Sequence, residues 1–231
     1  MFRFKQFDVE HDRSSMKVGT DGVLLGAWCD IQGAKRALDV GTGSGLIALM
    51  MAQRNLALDV DAIDIDHDSV VQASSNFENC QWGERLRAIE GDYVTFQLAK
   101  KYDIIVSNPP FFNNGVLPPA TSRMNARHTV TLTYDQLLAK SKSLLADSGK
   151  IAIVSPADCA DVILEACGDN KLYVSKMVKV FPIDGKPAKR ILWEIMSVSV
   201  TTTQSSIVIR NHKNEFTEEY RELCKDFYLE F

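Results

Sequence analysis

The chain has 231 residues, of which 45% are hydrophobic and 24% charged, as is typical of a globular domain with a full core. The apolar runs are too short for a membrane span, and the five cysteines and four histidines are scattered with no CxxC pair, so we expect a cytoplasmic protein without a signal peptide, disulfide framework or metal site. The net charge of −4 means that any nucleic-acid binding must use a local basic patch.

Strands and helices alternate from residue 36 onwards. Short buried strands are predicted at 36–40, 60–63, 86–89, 104–106 and 151–154, with helices at 46–52, 67–79, 134–146 and 157–167. Asp66 or Asp68 is expected near the start of the second of these helices, and Gly149 is expected to close the third. This alternation indicates an α/β fold with right-handed crossovers and a mostly parallel sheet.

The last part of the sequence breaks the alternation. Strands at 173–180 and 191–198 have no helix between them, so they are expected to form an antiparallel hairpin at the end of the sheet. A strand at 206–210 and a helix near 217–228 follow. We see no repeat or linker and expect one domain over 1–231, in which 1–34 covers the cofactor or substrate and 203–231 is a C-terminal strand–helix extension.

A glycine-rich loop, Asp39-Val40-Gly41-Thr42-Gly43-Ser44-Gly45, joins the first strand to its helix. Glycines there let a ligand approach the backbone beside a helix N-terminus. The G-x-G-x-G spacing differs from the dinucleotide pattern G-x-G-x-x-G, and the Lys-Ser/Thr of a P-loop is missing. Asp64 ends the second strand, where a carboxylate can bind both hydroxyls of a ribose, and Asp92 follows the third, where one can meet an adenine amine. Turns and a helix cap are the alternative explanation, but three such features at consecutive strand ends favour a ligand site.

The fourth strand is followed by Asn108-Pro109-Pro110-Phe111. An aromatic amine is a poor nucleophile, and a site helps by accepting hydrogen bonds from its N–H groups. Asn108 offers a side-chain carbonyl and Pro109 a backbone carbonyl, both held rigidly by the prolines. Phe111 offers a flat face for an extruded base. A simple turn is the alternative, but downstream of the ligand features the motif favours methyl transfer to an amino nitrogen.

These motifs resemble those of the class I S-adenosylmethionine-dependent methyltransferases. The resemblance implies a Rossmann-like fold with a seven-stranded, mostly parallel sheet, strand order 3-2-1-4-5-7-6 and an antiparallel terminal hairpin. It also implies S-adenosyl-L-methionine as the cofactor. The Asn-Pro-Pro-Phe motif resembles that of the amino-methyltransferases, which act on adenine N6, cytosine N4, guanine N2 or a glutamine amide.

A closer resemblance covers nearly the whole chain. Residues 4–7, 16–28, 108–112, 189–192, 219–220 and 226–229 resemble the bacterial tRNA(Val) adenine-N6 methyltransferases. This implies a tRNA substrate, methylated on the adenine immediately 3′ of the anticodon, with Lys17, Thr20 and Asp21 over the methionine end of the cofactor. Thr20 or Asp21 capping a helix over 23–28 is an alternative role, and both roles can hold together. The cofactor residues expected in all are Lys17, Thr20, Asp21, Asp39, Gly41, Gly43, Gly45, Asp64, Ile65, Asp92, Tyr93 and Asn108.

Two basic loops are the candidate RNA contacts. One is the loop from 112 to 130 and the other lies within the terminal hairpin; their candidate residues are Arg123, Arg127, His128, Lys186, Lys189 and Arg190. A solvated charged loop explains each residue singly about as well. The competing functions are a protein-glutamine or other nucleic-acid amino-methyltransferase and, more remotely, a non-catalytic nucleotide-binding module. We expect a monomer.

Overall fold

A computed structural model describes residues 1–14, 16–109 and 132–231. Its strands are β1 (Phe2–Arg3), β2 (Asp8–Val9), β3 (Arg36–Val40), β4 (Asp59–Asp64), β5 (Leu86–Glu90), β6 (Tyr102–Ser107), β7 (Leu145–Pro156), β8 (Tyr173–Ile183), β9 (Arg190–Met196) and β10 (Thr203–Arg210). Its helices are α1 (Thr20–Trp28), α2 (Leu46–Arg54), α3 (His67–Glu78), α4 (Tyr134–Leu144), α5 (Ala160–Asp169) and α6 (Glu218–Cys224), with short 3-10 turns at Gly83–Arg85 and Ala157–Cys159.

Eight strands form one sheet in the order β10-β8-β9-β7-β6-β3-β4-β5. The strands from β7 to β5 in that order are parallel, and β9 runs antiparallel to both β7 and β8. The predicted Rossmann-like class, its strand order and its antiparallel hairpin are therefore confirmed. The sheet gains an eighth strand because β10 pairs in parallel with the outer edge of β8.

The sheet separates two hydrophobic cores. On one face lie α1, α2, α3 and α6, and on the other α4 and α5. The central strands are buried on both faces, which is why they read as short continuous apolar runs in the sequence. Trp193 of β9 is fully buried, and its indole N–H donates to Ser155 Oγ at 2.9 Å, so its burial leaves no polar group unpaired.

Helix starts agree with the sequence in one case and differ in another. Asp66 caps α3, because its carboxylate accepts the N–H of Ser69 at 2.9 Å. The alternative role considered for Thr20 and Asp21, capping of the first helix, is wrong. Gly19 occupies the N-cap position of α1, and no side-chain hydrogen bond caps that helix.

The expected role of Gly149 is also wrong. Helix α4 ends at Leu144, and β7 begins at the next residue. Gly149 lies inside β7, where a Cβ atom would come within 2.8 Å of the carbonyl oxygen of Tyr102. The glycine therefore serves a close backbone contact between two strands, which local sequence cannot distinguish from a helix stop.

Aromatic side chains join the N-terminal segment to the C-terminal extension. The ring of Phe4 stacks on those of Phe7 and Tyr228, with centroid distances of 4.8 and 6.0 Å, and Lys5 N donates to Phe227 O at 2.9 Å. Phe227 is only 2% exposed. These contacts dock both segments on the α1–α2 face of the sheet. Within the described ranges, no helix has the length and apolar character needed to cross a membrane.

Candidate active site

The predicted motifs meet at the carboxyl edge of four adjacent strands. The glycine loop (39–45) follows β3, Asp64 ends β4, Asp92 follows β5 and Asn108 follows β6. Strand β3 has β4 on one side and β6 on the other, so the order of the strands reverses direction at β3. Open α/β sheets bind their ligands at such a topological switch point.

Two glycines in the loop serve different purposes. Gly41 has φ +70°, and a Cβ built on it would meet no atom within 4 Å, so open space lies against this part of the backbone. Gly45 has φ +82°, and its Cβ would come within 2.5 Å of the ring of Phe77. Gly41 thus leaves room for a ligand, and Gly45 allows α3 to pack against the start of α2.

Asp39 is a buried acid at the base of this space. Its carboxylate accepts the hydroxyl of Thr42 at 2.7 Å, and the residue is fully buried. Burial, with a further contribution from the nearby Asp64 carboxylate, raises the pKa of Asp39 to about 7. A ligand that brings a positive charge would favour the ionised form, so the position suits the amino-acid end of a cationic ligand.

Asp64 fixes the loop and the start of α3 together. One carboxylate oxygen accepts the N–H of Gly43 at 2.8 Å and the other accepts the N–H of Asp66 at 3.0 Å. Burial raises the pKa of Asp64. Each oxygen keeps a second lone pair for a ligand hydroxyl. The neighbouring Ile65 is 45% exposed and offers an apolar surface to a flat ring.

The turn after β5 lies next to Asp64. Gly91 N donates to Asp64 O at 2.9 Å, and the Asp92 carboxylate accepts the N–H of Val94 at 2.9 Å. Tyr93 is buried, with its hydroxyl 2.8 Å from Ser141 Oγ, and burial raises its pKa. The Tyr93 side chain therefore belongs to the core, and a ligand contact from this residue would come from its backbone.

Asn108 carries a buried acceptor at the end of β6. Its Oδ1 has no hydrogen-bond partner in the part of the chain that the structure describes. The strand end is fixed because Ser107 Oγ donates to Val40 O at 2.8 Å, and the following Pro109 is buried. An unpaired buried acceptor costs about 1–3 kcal/mol, which favours a donor that arrives with a ligand.

Five predicted site residues lie outside the described residues. They are Pro110 and Phe111 of the transfer motif and the candidate RNA contacts Arg123, Arg127 and His128.

The residues predicted to cover the cofactor divide into two groups. Lys17 is exposed and donates to the carbonyl oxygen of His11 at 2.7 Å. Thr20 is exposed at the start of α1. Asp21 instead forms a 2.8 Å ion pair with Arg190 Nε at the start of β9. Arg190, predicted as an RNA contact, therefore ties the terminal hairpin to α1.

The hairpin loop carries the other two predicted RNA contacts that the structure describes. Lys186 and Lys189 are both exposed. Lys186 N donates to Ile183 O at 3.1 Å, and Lys189 N donates to Val180 O at 2.9 Å, so the loop backbone is anchored to β8. The loop therefore presents two lysine side chains to solvent from a fixed backbone.

Sequence reasoning missed the contacts between α3 and the N-terminal segment. Asn76 accepts Glu10 N at 3.0 Å and donates to Ser44 O at 2.8 Å, and Gln72 accepts Arg13 N at 3.2 Å. Both side chains are buried. Two polar residues four positions apart on the buried face of a helix are the signal that could have found them.

The polar groups at this edge suit an adenosyl ligand with a cationic tail. Carboxylates are placed for a ribose and for a positive charge, an apolar surface lies beside them, and a buried amide oxygen lies at the end of β6. In the described portion of the chain, no group of three or more His, Cys, Asp or Glu side chains is placed to hold a metal ion.

Comparisons with known sequences agree with this arrangement. A family model for the methyltransferase small domain matches residues 18–164. The chain is 42% identical to a tRNA1(Val) (adenine(37)-N6)-methyltransferase of Trichodesmium erythraeum, over 100% of this chain and 98% of the relative. Relatives with the same name from Bacteroides thetaiotaomicron and Vibrio vulnificus are 40% and 38% identical, cover 99% of this chain and are themselves covered over 97% and 95%.

Solved structures share the fold at low sequence identity. A structure described as a predicted O-methyltransferase from Agrobacterium tumefaciens has a TM-score of 0.71 at 17% identity, covering 90% of this chain and 96% of that one. A glycopeptide N-methyltransferase solved with S-adenosyl-L-methionine has a TM-score of 0.56 at 12% identity, covering 80% and 91%. At these identities the likeness shows the fold alone.

Proposed function

Because the chain belongs to the methyltransferase small domain family and to the tRNA1(Val) (adenine(37)-N6)-methyltransferases, we propose that it methylates N6 of an adenine in tRNA. The methyl donor is S-adenosylmethionine, and the target is the adenine at position 37 of tRNA1(Val), as in the names of those relatives. The observation that carries this assignment is the buried, unpaired Asn108 Oδ1 beside the ligand site. It is an acceptor positioned for a group that carries N–H bonds.

Asn108 and Pro109 act on the nucleophile. The adenine amine is weakly nucleophilic because its lone pair is delocalised into the ring. When Asn108 Oδ1 and the Pro109 carbonyl each accept an N–H, the nitrogen becomes more tetrahedral and its lone pair is localised on it, directed towards the methyl group. The bound cofactor supplies a methyl group already activated on a sulfonium. The amine is first formed as a cation that still carries both of its protons. That cation is acidic and loses one proton to solvent, so no side chain needs to act as a general base.

The cofactor contacts follow from the positions of the acids. Asp64 would bind the ribose hydroxyls, Ile65 and the Asp92 turn would contact the adenine, and Asp39 with the glycine loop would face the amino-acid end. These roles are supported by the open space at Gly41 and by the depth of Asp39. Lys17 and Thr20 would cover the same end from the N-terminal segment.

The RNA contacts are proposed in the two basic loops predicted from the sequence. Lys186 and Lys189 are exposed in the hairpin loop and can contact phosphates. Arg123, Arg127 and His128 stay predictions. Since Arg190 is paired with Asp21, we assign it to holding the hairpin against α1. A tRNA substrate would place the reaction in the cytoplasm.

The test uses methyl-labelled cofactor and tRNA1(Val). After incubation and digestion to nucleosides, the label is expected in N6-methyladenosine. A calorimetric titration first verifies that the protein binds the cofactor. No labelled N6-methyladenosine under those conditions would contradict the proposal, and label in a release-factor peptide but not in RNA would favour glutamine methylation instead.

A further inference from the structure

A groove of about 640 Å³ lies between the N-terminal segment, the end of β8 and the C-terminal extension. Its lining includes four aromatic rings that are only partly buried, those of Phe2, Phe216, Tyr228 and Phe231. The Phe231 ring meets those of Phe216 and Tyr228 edge to face, with centroid distances of 5.5 and 5.4 Å. The rings therefore support one another and keep apolar surface open to the groove.

An arginine lies on one of these rings. The guanidinium carbon of Arg210 is 3.8 Å from the centre of the Phe216 ring, and Nη1 donates to Asn214 O at 2.6 Å. Both Arg210 and Phe216 line the groove, and so does the exposed carboxylate residue Glu230. A guanidinium placed over a ring combines a positive charge with a planar group, which suits a phosphate or a stacked base.

The groove lies next to the start of the basic hairpin loop. Asp184 N at the start of that loop donates to Arg210 O at 2.8 Å, and the exposed Lys186 follows two residues later. The groove is also lined by Gly19 and Thr20, which directly precede Asp21 of the Asp21–Arg190 ion pair. Aromatic surface and positive charge thus lie side by side, between the hairpin and the segment proposed to cover the cofactor.

We propose that this groove binds an unstacked base of the tRNA other than the adenine that is methylated, with the phosphate of that nucleotide on Arg210. The inference rests on the proposed function, because it requires an RNA substrate. Single-stranded loops expose base faces that stack on aromatic rings while their phosphates meet nearby cations. Glu230 can accept a hydrogen bond from a base amino group.

Two variants and a matched control test the groove. Phe231→Ala removes one ring and Arg210→Gln removes the charge, while Arg87→Gln changes an exposed arginine on β5, at the opposite edge of the sheet. Affinity for a fluorescent anticodon stem–loop is measured by anisotropy with S-adenosylhomocysteine present. Each groove variant should bind at least about 5-fold more weakly, and Arg210→Gln should also reduce the salt slope by about 0.7. Cofactor affinity should match that of the control, and both variants should remain folded at the assay temperature, with Phe231→Ala lowering the melting temperature because ring contacts are lost.

Photocrosslinking gives an independent readout in the unmodified protein. Stem–loops carrying 4-thiouridine at single positions should crosslink to a peptide containing Phe216 or Tyr228. If both groove variants bind RNA as tightly as the Arg87→Gln control, the proposal is overturned. A groove that binds a protein partner in place of RNA would give this result. That result leaves methylation by the wild-type protein intact, whereas failure of the proposed function removes methylation itself.

Discussion

Replacing Asn108 by alanine should lower activity without lowering stability. The change removes an amide whose Oδ1 is buried and has no partner among the described residues. In the free protein this oxygen has lost its water without gaining a donor, which costs about 1–3 kcal/mol. During the reaction the same oxygen would accept an N–H of the target amine.

The expected change in unfolding free energy is small, and the expected change in turnover is large. The side chain is only half-buried, so its truncation loses about 1 kcal/mol of packing, which the removal of the unpaired oxygen offsets. The unfolding free energy should stay the same or rise by about 1 kcal/mol, equivalent to about 2–4 °C in Tm for a chain of this size. Turnover should fall by more than about 10-fold, since one preorganised polar group in a transfer site contributes about 10²–10³-fold.

Three measurements separate these effects, with Asn55→Ala as the matched control. Asn55 donates to Ile31 O and Ala34 O at 3.0 and 2.8 Å and accepts Ala57 N at 2.9 Å, so this amide is fully used in the fold. Its loss should lower the unfolding free energy by about 2–3 kcal/mol and leave turnover per folded molecule unchanged. Urea unfolding, cofactor titration and labelled methyl transfer are compared for both variants.

The reasoning about Asn108 can fail in two ways. Wild-type turnover in Asn108→Ala would remove this residue from the transfer site. A loss of stability as large as that of the Asn55→Ala control would show that Oδ1 serves the fold and is not reserved for the substrate.

The other predictions concern the cofactor side of the site. Asp64→Ala should raise the cofactor Kd by more than about 10-fold, because hydrogen bonds to a charged group each contribute about 1.5–3 kcal/mol; an unchanged Kd in calorimetry would exclude the ribose role. Asp21→Arg and Arg190→Asp should each lower kcat/KM, and the double variant should recover part of it; no recovery would show that the ion pair is not what matters. Burial lowers the pKa of His11, which accepts Val18 N–H when neutral, so its contribution to stability is present above its ordinary pKa and lost as the pH falls through the lowered value. His11→Asn should reduce that acid loss in urea unfolding, and equal losses in both proteins would contradict it.

Much of the fold could be predicted because its signals are local. The central strands are buried on both faces, so each appears as an apolar run, and Asp66 caps α3 through a contact only three residues away. The edge of the sheet that carries the candidate site could also be predicted, because motifs at the carboxyl ends of neighbouring parallel strands lie at the same edge.

The parts that sequence reasoning missed depend on distant contacts. Asp21 meets Arg190 across 169 positions, and nothing near either residue indicates the pair. The first half of β10 is polar and exposed, so no apolar pattern in the sequence indicates that it pairs with β8. Gly149 has the local sequence context of a helix C-terminus, but it lies inside β7, where the backbone comes close to the carbonyl oxygen of Tyr102.

Burial leaves the carboxyl group of Asp39 with a pKa of about 7, so near neutral pH it is divided between its two protonation states. A cationic cofactor bound as proposed above would favour the ionised state and expel the proton. Cofactor binding would then be coupled to proton release, and affinity would rise with pH until the free carboxyl is already ionised. The heat of binding would consequently include the heat of ionisation of the buffer, and the depth of one carboxylate would make the methyl-donor equilibrium sensitive to acidity in the physiological range.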